Sequence, residues 1–365
     1  MFLDAREGAD SLIPLEFSEC KDWSPIQVYP KLLRVVSRIN TKTLIGNGLQ
    51  ENNEWIDINT KRHHSTQETF SYPLQSFEYF LHFCVLWLSF SSPNSAVWDC
   101  NRRARDIIAP ILADRVVREK SGDFKKPLDS VEWFRDDTND PKDKNDPELH
   151  ALIQLLIGAL SVNTTTQLIT NSIFNLATQP EYVPILRDEI DNTLREAGGK
   201  WTMESMAQLE KLDSFIKETL RHSGHLTLTF HRVAQEPITL SDGTDIPKGS
   251  TLFSPANAIN FDPEIYPNPE TFDGLRFYKL RHASPENVNK FQLTSLTGNQ
   301  MQFGAGRHAC PGRAIAGHQV KLILAHLLEK YELKLKDGEG RPKPILFQTN
   351  QFPNPQGEIL FKDRK

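Results

Sequence analysis

The stretch FGAGRHACPGRA, Phe303 to Ala314, places one cysteine between a glycine-rich loop and the start of a long apolar helix. Gly304 and Gly306 allow backbone conformations with positive φ and let a ligand come close to the main chain. Cys310 stands at the N-terminus of the following helix, where free amides and the helix dipole stabilise a thiolate. The stretch therefore predicts a thiolate beside an open, flat loop.

From the residues alone, several uses of this thiolate are open. Zinc takes three or four clustered nitrogen or sulfur ligands, and the other three cysteines are far from Cys310 in the sequence. A nucleophile needs a base, for which His308 and His318 are candidates, but no papain-like or caspase-like signature surrounds the cysteine. An iron ligand needs one thiolate and a flat surface, because a macrocycle supplies the other four donors. The pattern favours iron, and a buried structural thiol is the plain alternative.

The composition is that of an ordinary globular protein. The chain has 365 residues, a net charge of -5, 38% hydrophobic and 24% charged residues, and four cysteines without a CxxC pair. No dense basic block indicates nucleic acid or an anionic membrane surface, and the cysteine usage fits a reducing compartment. The N-terminus has no signal-peptide pattern. The best apolar run, residues 79–90, is shorter than the roughly 18 residues that span a bilayer, so the sequence predicts a soluble, cytoplasmic chain.

Helical periodicity dominates the chain, and a strand-rich region begins at residue 227. Asp146-Pro147-Glu148 predicts the start of a long helix that is apolar around most of its circumference and is therefore expected to be buried. Polar residues 121–145 predict a solvated loop, and Asp242-Gly243 predicts a hairpin turn. Helices are further predicted at 23–58, 98–120, 181–197, 203–221 and 313–331, and a strand at 331–335. The fold class is mainly α with a small β part.

FGAGRHACPG resembles the haem-binding loop of the cytochrome P450 family, the haem-thiolate monooxygenases. The resemblance implies the cytochrome P450 fold, haem b as cofactor and Cys310 as the proximal iron ligand, whose electron donation favours O–O cleavage. Phe303 is implied to shield the sulfur. His308 stands where the family usually has arginine, and it is expected to share a haem propionate with Arg307. The loop residues assigned to the cofactor are Phe303, Gly304, Gly306, Arg307, His308, Cys310 and Gly312.

The sequence Glu218-Thr219-Leu220-Arg221 is a second motif. Alone, it predicts only a surface pair at positions i and i+3, worth a fraction of a kcal/mol. Its place before the strand region and ahead of FDGLRF is similar to the family arrangement. The resemblance implies that Glu218, Arg221 and Arg276 form a buried triad that supports the haem loop. This role is structural rather than catalytic.

The resemblance also assigns residues in the strand that begins at 227. Arg232 lies where the family places an arginine against a haem propionate, although a lone arginine is most often a surface residue. Leu226, Leu228 and Phe230 stand just before it. They are implied to line a pocket for a lipophilic substrate.

The long helix contains LSVNTT, residues 160–165. The plain alternative is that its threonines bond back to carbonyls of their own helix. In the family, a small residue, an acid and a threonine deliver protons at this place. The resemblance implies Ser161 as the small residue, Thr164 as the threonine and Asn163 at the acid position. Asn163 cannot donate a proton as a carboxylic acid does, so delivery is expected through Thr164, Thr165 and water.

The resemblance is good from about residue 146 to 360 and weaker before it. It implies one cytochrome P450 domain over residues 1–365 without the family's N-terminal anchor and first β and helical elements. Residues 61–95 form an atypical segment that matches nothing in the family. Full-length relatives are anchored in the endoplasmic-reticulum membrane. The wording of HACPGRAIA and of the stretch from FSPANAINFDPEIYPNP to LRFYKLR is closest to fungal members that oxidise terpenoids or related secondary metabolites.

The implied partners are O2, a small lipophilic substrate and NADPH-cytochrome reductase as electron donor. Arg307, Arg313 and Lys321 are expected on the surface that receives the reductase. The alternative function is a truncated remnant of such an enzyme that binds haem weakly or is inactive. A cysteine-nucleophile hydrolase is a third possibility.

Overall fold

The structure is a computed structural model that describes residues 9, 11–17, 19–46, 48–60, 96–122 and 124–364. The atypical segment 61–95 and the apolar run 79–90 lie outside the described residues. The chain divides into two units. The described parts of Met1–Phe17 and Lys31–Thr164 belong to the first, and those of Ser18–Pro30 and Thr165–Lys365 belong to the second. The single-domain organisation stays a prediction.

The first unit is helical in its described part. Its helices are α1 at 11–16, most of α2 (Val28–Leu44), α3 at 53–60, α4 (Ala96–Ser121), α5 (Ser130–Asp137) and the first half of α6 (Pro147–Thr178). Their apolar faces meet in a core that includes Trp55, Ile108, Val131 and Leu155. The buried indole of Trp55 donates to Thr41 Oγ1 at 3.1 Å, so its polar atom is paired.

Helix α5 contradicts the prediction of a solvated loop over residues 121–145. Asp129 caps it by accepting from the backbone N–H of Glu132 at 2.9 Å. Arg115 pairs with Asp129 at 2.6 Å, and Arg135 pairs with Glu132 at 2.9 Å, all four side chains being buried. The polar sequence did not predict this helix, because the helix buries charged side chains that pair with one another.

Helix α6 begins where the sequence predicts it, because Asp146 Oδ1 accepts from the N–H of Glu148 at 2.9 Å. Residues 165–177 are all buried, whereas Leu160 in the first half is 74% exposed. The burial prediction is therefore confirmed for the second half only. By length and composition α6 could also cross a membrane, alone among helices in the described ranges. Half of its most apolar window is buried in the structure, so this is weak evidence for a span.

The second unit contains the remaining helices of the described chain and its sheets. The helices are α7 (Tyr182–Glu196), α8 (Met203–Gln208), α9 (Glu210–His222), α10 (Ala256–Asn260), α11 (Arg276–His282) and α12 (Arg313–Lys330). Strand β1 (Ser24–Gln27) contradicts the helix predicted to start at residue 23. It pairs with the last strand of the chain, which places Ile26 opposite Ile359. A partner more than 300 residues away decides its conformation, and a local helical period cannot report that.

The strands of this unit form one three-stranded and three two-stranded antiparallel sheets in the described residues. They are β2 (Thr229–Val233), β3 (Ile238–Thr239), β4 (Asp245–Ile246), β5 (Thr251–Ser254), β6 (Tyr331–Lys334), β7 (Ile345–Phe347), β8 (Asn350–Phe352) and β9 (Glu358–Asp363). The larger sheet has the order β1-β9-β6, and β2 pairs with β5, β3 with β4 and β7 with β8. The predicted hairpin is confirmed, since Gly243 has a φ of 86° between β3 and β4.

Candidate functional site

The loop from Phe303 to Gly312 folds back on itself. The N–H of Cys310 donates to the carbonyl of Phe303 at 2.7 Å, which closes the loop. Gly304 and Gly306 have φ values of 71° and 60°, so both occupy the left-handed region that glycine adopts without strain. A methyl group at Gly304 would also come within 3.2 Å of a backbone oxygen of His308. Glycine is therefore favoured at both positions by backbone geometry, and at Gly304 by space as well.

Cys310 is half-buried at the end of this loop, just before α12. The Arg313 guanidinium donates to its carbonyl at 2.8 Å, which fixes the backbone of the cysteine. No hydrogen bond joins the thiol to His308 or His318 in the described structure, and His318 Nδ1 lies 2.7 Å from the carbonyl oxygen of Ala314 instead. Within the described ranges no group of three or more His, Cys, Asp or Glu side chains could hold a metal ion. The arrangement offers a single thiol and no positioned base.

The structure brings Glu218, Arg221 and Arg276 together in the interior. Arg221 donates to Glu218 through Nη2 at 2.7 Å and Nε at 2.9 Å, and Arg276 Nε donates to the same carboxylate at 3.1 Å. Glu218 is fully buried. Burial, and next the charge of Arg221, lower the pKa of His222 to about 4, so this neighbour adds no further positive charge at neutral pH. One carboxylate therefore accepts from two guanidinium groups, whose other N–H groups donate to backbone carbonyls.

Asn260 and Gln302 connect this triad to the cysteine loop, and sequence reasoning missed both. Arg221 Nη1 donates to the carbonyl of Asn260 at 2.6 Å, and Asn260 Nδ2 donates back to the carbonyl of Arg221 at 3.0 Å. Gln302, the residue before Phe303, donates from Nε2 to Asn260 Oδ1 at 2.6 Å. No periodicity relates residues 221, 260 and 302, so the sequence carried no signal for this connection.

Lys217 lies beside the triad and is a second group that the sequence did not indicate. Its side chain is buried, donates to the carbonyl of Gln292 and lies 5.3 Å from the centre of the Phe277 ring. Burial lowers the pKa of Lys217 to about 8, and the opposing effect of Asp213 is smaller. The folded protein therefore keeps an ammonium group in its interior at a cost.

We expect this cost to appear as pH-dependent stability. Between pH 8 and about 10.4 the unfolded state still binds the lysine proton while the folded state has released it. The free energy of unfolding should therefore rise with pH in this window, by at most about 1.4 kcal/mol per pH unit from this group. Urea unfolding of wild type and Lys217→Met from pH 7.5 to 10 measures the difference.

Lys248→Met is the matched control, because Lys248 is exposed and pairs with Glu236 on the surface. The rise should shrink in Lys217→Met and persist in the control. An equal rise in all three proteins would show that Lys217 has an ordinary pKa in the folded state.

Arg232 lies in β2, half-buried, with its Nη1 donating to the carbonyl of His231 at 2.7 Å. Its guanidinium carbon is 4.1 Å from the centre of the Phe230 ring. The hydrogen bonds and ion pairs of the described residues include no carboxylate for Arg232. An arginine of this kind is able to bind an anionic group.

The predicted pocket residues lie in and before β2. Leu228 and Phe230 are 36% and 37% exposed, and Leu226 is half-buried. The segment containing them is held by backbone bonds to the end of the β7–β8 hairpin, where Leu226 bridges to Asn350 and Thr227 N–H donates to the carbonyl of Thr349 at 2.9 Å. Their exposure leaves an apolar surface at this place.

In α6, the threonine hydroxyl bonds back to its own helix. Thr164 is exposed and donates to the carbonyl of Leu160 at 3.0 Å. Ser161 donates to the carbonyl of Ile157 at 2.7 Å and accepts from Asn40 Nδ2 at 3.1 Å. Thr165 is buried, and Asn163 is half-buried. The hydroxyl of Thr164 thus keeps its acceptor capacity on an open face of the helix.

The predicted reductase-facing surface is wrong for Lys321. This side chain is buried, donates to the carbonyl of Met206 at 2.9 Å and pairs with Asp213 at 3.2 Å. The helical spacing of α12 did not reveal that its lysine is held inside by an acid of another helix. Arg307 is exposed and Arg313 is half-exposed, so these two remain available to a partner.

The family model and the curated relatives that match this chain point to the same family. The family model described as Cytochrome P450 matches residues 18–362. Cytochrome P450 monooxygenase braC of Annulohypoxylon truncatum is 35% identical over 95% of this chain and 69% of its own length. Cytochrome P450 monooxygenase AN1598 of Emericella nidulans is 34% identical over 94% of this chain and 63% of its own length. The chain thus spans about two thirds of the length of these fungal relatives.

A solved structure supports the fold. Retinoic acid bound cyanobacterial CYP120A1 is 18% identical and has a TM-score of 0.69, over 100% of this chain and 75% of that one. At this identity the likeness concerns the fold alone, and it confirms the predicted mainly α cytochrome P450 fold. The family and fold imply haem bound through a cysteine thiolate. The family model covers nearly the whole sequence, and the chain belongs to the cytochrome P450 family.

Proposed function

We propose that this chain is a haem-thiolate monooxygenase that oxidises a small lipophilic secondary metabolite, with Cys310 as the axial ligand. The geometry of the Phe303–Gly312 loop carries the proposal. It presents one thiol on a backbone that two hydrogen bonds hold, in front of a helix N-terminus, and no described histidine is hydrogen-bonded to that thiol. The named monooxygenases among the relatives support the same reaction class.

The loop fits a flat macrocycle. Methyl groups added at Gly306 or Gly312 would meet no atom within 4 Å, so open space borders both. When bound there, haem supplies the oxygen-activating chemistry. The chain's own contribution is a thiolate at Cys310 Sγ, which Phe303 shields from water. The triad of Glu218, Arg221 and Arg276 holds the scaffold behind the loop through Gln302.

Cationic groups would orient the propionates. Arg307 and His308 lie exposed on a 3-10 turn directly before Cys310, and we assign them to one propionate. Among the described residues Arg232 donates a hydrogen bond to a local carbonyl alone, so its remaining N–H groups fit the other propionate. This assignment is supported by charge and by exposure.

Proton delivery would rely on hydroxyl groups of α6. In the structure the Thr164 hydroxyl donates a hydrogen bond to Leu160 O, which leaves its oxygen able to accept one from water. To deliver a proton, the hydroxyl would rotate away from Leu160 O and pass its own proton on while it takes one from that water, so that it ends with one proton as before. Asn163 orients that water through its amide but releases no proton. Thr165, which is buried, shapes the helix beneath them.

The surface that receives the substrate would be apolar. Leu226, Leu228 and Phe230 offer side chains that bind lipophilic carbon skeletons, and a terpenoid has this character. Electrons would come from NADPH-cytochrome reductase, whose acidic surface could meet Arg307 and Arg313. The relatives are named cytochrome P450 monooxygenases, which supports the reaction class and its need for an electron donor.

Difference spectroscopy on the purified protein tests the proposal. After haem is supplied, the protein is reduced and exposed to CO. We expect the long-wavelength Soret band that gives the family its name, because an axial thiolate produces it. A band at the position typical of neutral ligands, or no haem uptake at all, would instead identify the chain as a remnant that lacks the working site.

A further inference from the structure

Strand β2 contains a bulge directly before Arg232. Thr229 pairs with Ser254 and Arg232 pairs with Leu252, so two residues of β2 stand opposite one residue of β5. The two are Phe230 and His231, and the one is Phe253. Bulges of this kind bend a strand and redirect a side chain, and they are frequent beside functional sites.

The bulge has a phenylalanine where glycine is the usual residue. Phe230 has a φ of 56°, in the left-handed region that is costly for a bulky L-residue. Only Asn268 and Gln348 share a positive φ among the non-glycine residues that the structure describes. A strained residue persists when the surrounding structure holds it, and strain of this kind points to a function.

The position of the aromatic ring indicates that function. The guanidinium carbon of Arg232 lies over the Phe230 ring, 4.1 Å from its centre, which is within the range of a cation–π contact. Stacking uses the face of a guanidinium and leaves its edge available, and a carboxylate binds at that edge with two parallel hydrogen bonds. In the described structure the edge of the Arg232 guanidinium makes a single hydrogen bond, from Nη1 to His231 O.

We propose that Phe230 is a positioning residue for Arg232. Its ring supports the face of the Arg232 guanidinium, so that the edge of this group is directed outward to a haem propionate. The inference rests on the proposed function, since it takes Arg232 as a propionate partner. The strained backbone is what places the ring under the guanidinium. In a regular strand, residues 230 and 232 would still share a face, but a β-region φ would direct the ring perpendicular to the sheet.

The test compares Phe230→Gly with Arg232→Leu. The measurements are the rate of haem transfer to excess apomyoglobin and the thermal midpoint of the haem-free protein. Glycine relieves the backbone strain and removes the ring. We therefore expect Phe230→Gly to lose haem about tenfold faster, while the midpoint of its haem-free form is unchanged or higher. A merely structural phenylalanine would lower that midpoint.

Two further variants sharpen the result. Gln348→Gly relieves a comparable backbone strain, with a φ of 52°, in the turn between β7 and β8. Its haem transfer rate should match wild type. The double variant Phe230→Gly/Arg232→Leu should lose haem no faster than Arg232→Leu alone, because both changes remove one contact.

Three outcomes would overturn the inference. The first is that Phe230→Gly loses haem at the wild-type rate while Arg232→Leu loses it faster. The other two are additive effects in the double variant and a wild-type rate of haem loss in Arg232→Leu itself. In the last case the CO spectrum of the wild-type protein tells whether the proposed function survives. A normal band would leave the monooxygenase intact and remove only Arg232 and Phe230 from propionate binding.

Discussion

Cys310→Ser is expected to abolish the long-wavelength Soret band of the reduced, CO-bound protein. A serine hydroxyl is a far weaker acid than a thiol and does not supply the electron donation on which the band depends. The loop itself should survive, because its closing bond uses the backbone N–H of residue 310 and its glycines are unchanged. The difference spectrum and the haem content of the variant measure the two effects separately.

Cys100→Ser is the matched control for this change. Cys100 is also half-buried, but it lies in α4 of the first unit. Its serine variant should keep the band at full amplitude. A Cys310→Ser protein that kept the band would show that another group binds the iron, and the assignment of Cys310 would then be wrong.

Glu218→Gln should destabilise the protein by about 3 to 5 kcal/mol, because removing one partner of a buried ion pair leaves the other charges uncompensated. Glutamine has nearly the same volume, so the effect reports charge rather than packing. Arg221 and Arg276 would face a neutral amide at the site where both now donate at 2.7 to 3.1 Å. Urea unfolding of the haem-free protein at pH 7 measures the free energy of unfolding.

Glu236→Gln provides the comparison at the surface. Glu236 pairs with Lys248 at 3.1 Å, and both side chains are exposed. The expected loss is about 1 kcal/mol or less, since surface pairs contribute little. If Glu218→Gln were as mild as this control, the triad would not stabilise the scaffold behind the cysteine loop.

Local patterns predicted the parts of this protein whose chemistry is contained in neighbouring residues. The glycine conformations around Cys310, the cap of α6 by Asp146 and the turn at Gly243 follow from backbone preferences that act within a few residues. The i and i+3 spacing of Glu218 and Arg221 likewise puts them on one helix face. The family resemblance, not the spacing, indicated that the pair is buried with Arg276.

Charged segments were the main source of error. Residues 130–137 were predicted as a solvated loop, and Lys321 as a surface residue, because polar residues usually face water. Both predictions failed for one reason: these charged side chains pair with opposite charges in the interior, which removes the need for water. The lowered pKa of Lys217 has a different cause, namely burial, which also depends on neighbours from several elements.

The sequence by itself determined the family, the cysteine at position 310 with its open loop and most helix positions, because these depend on residue type and short-range spacing. Only the tertiary structure decided that Asn260 and Gln302 connect the triad to that loop. It also decided that β1 pairs with β9 near residue 360 and that the Phe230 ring lies against the Arg232 guanidinium. Each of these depends on contacts between residues far apart in the chain or on a bulge imposed by a partner strand. No pattern along one segment encodes such contacts.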